Sequence, residues 1–417
     1  MSLRPLILGA ILLAAWPARA QPASPSSAVS LSQVMQAARE NLDVSLARRA
    51  LAAAQADVAS ADHAPAPVLS AKAASIDLQN GVGTGNLLRD KRIDKSLGID
   101  WTWERGNKRE LRTRAAKFSA DAAQADLQEV QVQQQLAAAG AYYDLMAAQE
   151  RIAHVEAIAR SAADLSTTAQ RRVGAGDLSR QEALRTEIEA QRAGSEVRSA
   201  QAERQKAAAA MSLLTGLSQP FSVVADWPAL DAAVSGMPDV ELRADVRAAQ
   251  QRLAAAGAAL DGALALRRAD VTLGSSIDHF PGTSTRQLEV RLQLPLIGVL
   301  GSYGFEGEIG RARVLMSQSQ DQLEKTQRAA AADNQRLQQE LQVSATRSRT
   351  YQEAIVPRAR QVASMSELAY RQGAMSLADL IDARRTLRTA LLEDVASRAD
   401  HARALAAWQL RAGPDPR

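Results

Sequence analysis

Ser96 to Arg112 reads SLGIDWTWERGNKRELR, and two different periods meet inside it. Leu97, Ile99, Trp101 and Trp103 alternate with Ser96, Gly98, Asp100 and Thr102, which is the two-residue repeat of a strand with one greasy and one polar face. Past Gly106 the pattern changes. From Glu104 to Gln219 there is no proline, and Ala, Gln, Glu, Arg and Leu, all good helix formers, dominate. Apolar marks such as Ile152, Val155, Ala159, Ala162 and Leu165 step by three and four, as one face of a helix requires. A helix running from Arg105 to Arg172, at about 1.5 Å rise per residue, is a rod of about 100 Å. Ile309 to Gln372 predicts a second rod, kinked at Pro357. Such rods cannot bury an Ala-rich seam alone, so they must pair with neighbours or with other subunits.

Composition agrees with thin, close-packed helices. Hydrophobic residues make up 46% of the 417, yet aromatics only 3%, too few bulky side chains for several thick cores. Arg4, the apolar run Leu6 to Trp16 and Ala18-Arg19-Ala20 form an export signal, so residues 1–20 are expected to be cleaved and the mature chain to begin near Gln21. No later stretch reaches the roughly 18 apolar residues of a membrane-spanning helix. With no cysteine there is neither a disulfide nor an acylated anchor. Residues 1–20 carry two arginines and no acids, which leaves 48 basic against 46 acidic side chains in the mature chain and gives no support for nucleic-acid binding.

An internal repeat organises the rest. Asp43-Val44 and Leu51-Ala52-Ala53-Ala54 return without gaps 202 residues later as Asp245-Val246 and Leu253-Ala254-Ala255-Ala256. The expected halves are 21–235 and 236–417. Each holds a helix, two strands around a polar loop, a very long helix, a glycine turn and a closing helix. The strands are expected at 67–78, 95–103, 270–279 and 287–296, and the turns at 173–180 and 371–377. Val271, Leu273 and Ile277, and again Leu288, Val290, Leu292, Leu294 and Leu296, alternate with polar neighbours. Taken singly these are half-buried strands of a soluble sheet. In an exported chain with no core domain for them to cover, they read as lipid-facing barrel strands. Four strands are too few to close a pore, so the barrel must be shared between subunits.

Several stretches together resemble the outer-membrane efflux proteins of the TolC type: SLSQVMQAARENLDV (30–44), AGDLSRQEALRTEIEA (175–190), AAAAMSLLTG (207–216) and YRQGAMSLADLIDARRTL (370–387). WERGNKRELR also looks like the turn into the long helix in the heavy-metal cation branch. The resemblance covers Leu31 to about Leu410. It implies a mainly α protein with a membrane β-barrel, in which three chains make a twelve-stranded barrel in the bacterial outer membrane and a helical tunnel across the periplasm. It further implies a passive exit duct for an inner-membrane pump and a periplasmic adaptor, with no enzymatic activity and no cofactor. The competing reading is a periplasmic coiled-coil scaffold or adaptor without a pore, which has no need for the strands.

Ser179-x-x-Glu182 and Ser376-x-x-Asp379 are capping boxes, so helix capping explains Glu182 and Asp379 in part. Capping does not explain Asp382, which shares a helix face with Asp379. In the resembled family Asp379 and Asp382 match two carboxylate rings that close the periplasmic mouth. Tyr370 matches a tyrosine linking neighbouring coils, and Glu182 the acid that receives such links. Met375 stands where the family's best-known member has an arginine. The turns at Gly176 and Gly373, with Leu178 and Met375, are the expected adaptor contacts. His63, His154, His279 and His401 are scattered without ligand spacing, so no metal site is expected. The glycine-rich stretch 81–85 sits between strands, where a phosphate cradle does not form.

Overall fold

The structure is a computed structural model that describes residues 28–76, 78, 79, 84, 93–219, 221–231, 236–280, 286–297 and 303–412. The expected signal segment, most of the glycine-rich stretch 81–85 and the middle of both strand-connecting loops lie outside the described residues.

Ser30 caps α1 (Leu31–Arg39) with a complete capping box to Gln33, and Asn41 caps α2 (Leu42–Ala61) by accepting from the Asp43 amide at 3.1 Å. β2 (Val68–Ala74) and β3 (Asp94–Trp103) lead to α3 (Lys108–Gly174), a single helix of 67 residues, and then to α4 (Arg180–Thr215). Two-residue strands β1 (Ala28–Val29) and β4 (Ser222–Val223) pair in parallel, a contact with no counterpart in the sequence reading. The chain continues through α5 (Ala244–Ala265), β5 (Val271–His279) and β6 (Gln287–Gln293). α6 (Glu306–Thr350), α7 (Val356–Arg371) and α8 (Leu377–Ala412) complete it. No helix among the described residues is long and apolar enough to cross a membrane.

The second rod is interrupted rather than merely bent. Tyr351–Ile355 winds as a π-helix, one turn ahead of Pro357. Proline has no N–H for the carbonyl four residues back and its ring crowds that turn, so a locally wider turn accommodates it. Two strands are shorter than expected for local reasons. β2 stops where Ser75 takes φ +59, and β6 stops before Pro295, which cannot donate to a ladder.

The four strands β2-β3-β5-β6 form one antiparallel sheet in that order. Its register puts the alternating apolar positions of β3, β5 and β6 on one face together with Leu69 of β2: Leu69 opposite Ile99, Leu97 opposite Ile277, Trp101 opposite Leu273, and Leu273 opposite Leu292. That face is open, with Trp101 60% and Val290 75% exposed. Val68 lies opposite Asp100, on the other face, which is why β2 alternates poorly. On the polar face Arg291 donates to Asp100 at 2.8 Å across the intervening Gly274. A side chain at Gly274 would run into the Asp100 carboxylate, so glycine there makes the bond possible.

α3 is the spine. It packs against α2 and α5 toward the sheet and against α4 and α8 further along. The largest apolar cluster forms at its middle, where Tyr142, Leu145 and Met146 meet Val34, Met211, Phe221 and Ala402. There the segment 221–231 straps across the helices: Val223 exchanges bonds with Gln149, Tyr142 donates to the Val224 carbonyl, and Trp227 donates to Glu150 at 2.8 Å.

Candidate functional site

The two glycine turns are built alike. At the first, Gly176 takes φ +85 and the Asp177 amide reaches back to the Arg172 carbonyl. At the second, Gly373 takes φ +73 and the Ala374 amide reaches the Ala369 carbonyl. Both are helix stops with glycine in the left-handed position, followed two residues later by a half-buried Leu178 or Met375 and a capping serine. The caps differ by one methylene. Glu182 completes its box, accepting from the Ser179 amide at 3.3 Å while its own amide donates to the Ser179 hydroxyl. Asp379 receives only the Ser376 hydroxyl, at 2.7 Å, because the shorter acid does not reach the cap amide. The second box is therefore half of the one expected.

Asp379 and Asp382 are exposed on the first turns of α8, and Asp382 lies 3.6 Å from Arg385. Tyr370 is half-buried against Arg172 of α3, which donates to its hydroxyl at 3.3 Å and stacks over its ring. Within the chain, then, Tyr370 joins α7 to α3 through Arg172, a residue the sequence reading did not single out, while Glu182 is engaged in its own cap. Gly176 and Gly373 face open space.

Above the tips a second group of residues emerges that sequence reasoning missed. Arg384 of α8 donates to Glu367 of α7 at 2.9 Å and to the Ser161 carbonyl of α3 at 3.2 Å. Arg385 bonds Glu189 of α4, and Arg388 donates to Glu196 of α4 at 3.0 Å. The Arg385 guanidinium holds the Glu189 carboxyl below the usual glutamate range, against partial burial that acts to raise it. The available signal was the seven-residue spacing of Glu189 and Glu196, two turns apart on one helix face, matched by basic residues on α8. The three arginines, Glu189 and Glu367 border a cavity of about 260 Å³ walled by Ile158, Leu165, Ile381, Leu387 and Leu391. Among the described residues, no group of three or more His, Asp or Glu is placed to hold a metal ion.

No protein-family model matches the chain. Over 298 residues it is 27% identical to the cobalt-zinc-cadmium resistance protein CzcC of Cupriavidus metallidurans, covering 68% of each chain. Its fold is that of the outer membrane protein VceC of Vibrio cholerae, with a TM-score of 0.74, 18% identity, and 92% of this chain and 96% of that one covered. The open-state MtrE outer membrane channel of Neisseria gonorrhoeae matches with a TM-score of 0.71 at 17% identity, over 92% of this chain and 89% of that one. The resemblance to TolC-type outer-membrane efflux proteins that the sequence carries is borne out by these likenesses.

Proposed function

We infer that this chain is the outer-membrane exit channel of a tripartite efflux system, a passive conduit through which an inner-membrane pump and a periplasmic adaptor discharge their substrate. One observation carries the reading. The sheet presents a largely apolar, exposed face, and β2 and β6 form its edges with no further strand paired to them among the described residues. Exposed edges and exposed apolar faces are costly in water, and a closed barrel in hydrocarbon removes both costs. Three copies, each adding four strands edge to edge, give twelve. Rods rising from that ring line a tunnel, with the glycine turns at its far mouth. A pore-free scaffold leaves the sheet face without a partner.

At the mouth, Asp379 and Asp382 from three chains place six carboxylates in a narrow throat, which favours cations and retains divalent ones. Tyr370 and Glu182 brace the inner helices, and an adaptor packs between the tips at Gly176, Leu178, Gly373 and Met375. Likeness to a cobalt-zinc-cadmium resistance protein supports heavy-metal cations as cargo. The test is conductance in planar bilayers. Asp379→Asn with Asp382→Asn is expected to weaken divalent block and cation preference. Unchanged block and preference would remove the gate assignment, and a protein that forms no channels would remove the conduit itself.

A further inference from the structure

Charge is spread unevenly over the two faces of the sheet. On the polar face acids and bases mix, as Lys72, Asp94, Asp100, Asp278, Glu289 and Arg291. On the apolar face the four strands carry no acid among the described residues, and Lys95 is their one formally charged side chain. Lys95 stands at the loop end of β3, opposite His279 of β5. Gln287 lies opposite Asp278, and continuing that register by one residue brings the exposed Arg286 level with His279. Three basic residues thus form a row across three strands. Directly beneath it runs a row of exposed apolar side chains, Leu97 opposite Ile277 and Ile277 opposite Leu288. At the far end of β3 the same face ends in the exposed Trp101 and Trp103. From Trp103 to Lys95, at about 3.3 Å per residue, is about 26 Å of strand. At a barrel tilt of about 40° that spans about 20 Å of depth, close to the height of a lipid-facing apolar band.

We propose that the row Lys95, His279 and Arg286 is a docking site for the phosphate of an anionic lipid in the outer leaflet. The proposal rests on the channel reading above, which turns the loop end of the sheet outward and the rods inward. Tryptophan suits the boundary near the rods, where an indole keeps its ring in hydrocarbon and its N–H among headgroups. The cations at the opposite boundary have another need. Lys95 is half-buried, and its Nζ is covered and without a partner. An ammonium held out of water with no acceptor is costly, and the apolar face offers it no acid. A phosphate oxygen supplies counter-charge and acceptor together, and the planar fork of Arg286 suits a second oxygen of the same group. Free phosphate has the same chemistry but no acyl chains to lie against Leu97, Ile277 and Leu288. The two rows together match a charged headgroup above its own hydrocarbon.

In the experiment the full chain, purified in a non-ionic detergent, is incubated with equimolar phosphatidylglycerol and phosphatidylcholine and re-isolated by gel filtration. Mass spectrometry then counts the lipids retained. The unaltered chain is expected to enrich phosphatidylglycerol, and Lys95→Gln with Arg286→Gln to lower that enrichment about fivefold or more, the effect of removing near-surface cations. Lys95→Gln alone serves if the pair fails to assemble. Lys72→Gln removes a cation near the same rim from the polar face and is expected to change nothing, and excess inorganic phosphate is expected not to displace the lipid. Equal retention of the two lipids by the unaltered chain, an equal loss in the Lys95 and Lys72 variants, or displacement by inorganic phosphate would overturn the lipid site and leave the conduit standing. An unaltered chain that forms no channels in planar bilayers overturns both.

Discussion

Gly106 shows how one residue can join two halves of a chain. The turn between β3 and α3 takes φ +78 at Gly106 and φ +56 at Asn107. Around it the Arg105 amide and the Lys108 ammonium both donate to Asp270, at 2.9 and 2.8 Å, so the start of the first rod is fastened to the start of β5. A side chain at Gly106 would meet two obstacles: the left-handed backbone, and the Arg268 side chain 2.7 Å away. Gly176 has the same backbone sign but open space around it. Gly106→Ala is therefore expected to cost about 2–3 kcal/mol and Gly176→Ala about 1 kcal/mol. Thermal unfolding of the two purified variants in detergent separates them. Equal shifts would mean that Arg268 yields freely and that only the backbone matters at position 106.

At the scale of elements, the strap 221–231 is held at the middle of α3 by a clamp of charge. Glu150 accepts from Trp227 and Arg398, Arg398 also reaches Asp394 at 2.9 Å and lies over the Trp227 ring, and His154 stands 3.6 Å from Glu150. Burial acts to raise the Glu150 pKa, but the bonds from His154, Arg398 and Trp227, with the Arg398 charge, outweigh it and hold the carboxyl at about 2. Asp394 moves the opposite way, raised by burial despite Arg398. A carboxyl whose pKa is depressed by folding stabilises the fold above its unfolded value, and that contribution disappears as pH falls from about 4.5 toward 2. Glu150→Gln is accordingly expected to cost about 2 kcal/mol near neutral pH, because it leaves Arg398 with Asp394 as its remaining acid. Chemical denaturation at pH 7 and pH 3 checks the sign: the gap between the original chain and the variant narrows at the lower pH, and a constant gap would assign the cost to packing. None of this clamp was legible beforehand. Period and missing proline announce rods, and alternation announces strands, because both signals repeat along the chain. The two-residue pairing of Ala28–Val29 with Ser222–Val223 repeats nothing. The caps at Ser179 and Ser376 were legible for the same local reason, whereas the arginines of α8 act across helices and leave only a faint spacing signal.

At the scale of the molecule, the surface does not suit a chain working alone. Its accessible area is 26987 Å², against about 15,600 Å² for a compact monomer of 44.5 kDa. The excess is apolar where it is most informative: Val362, Met365 and Leu368 on α7, Leu184 and Ile188 on α4, and most of the apolar face of the sheet are exposed. Alternation along the strands made the sheet face readable in advance, but what should cover it is a question of medium, and a charge introduced there distinguishes water from lipid. Val290 is 75% exposed, opposite Ser275 on the greasy face, whereas Gln287 is exposed on the polar face opposite Asp278. In water both Val290→Arg and Gln287→Arg are surface changes of little consequence. In hydrocarbon an outward arginine costs about 2–4 kcal/mol at mid-depth, while one facing an aqueous lumen and an aspartate costs little. Val290→Arg is therefore expected to reduce the fraction of chain recovered in the outer membrane after carbonate washing, with the remainder aggregated or degraded, and Gln287→Arg to leave it unchanged. Equal recovery of the two would mean that water lies on both faces of the sheet, in which case the edges of β2 and β6 would need a cover other than a second copy of the chain.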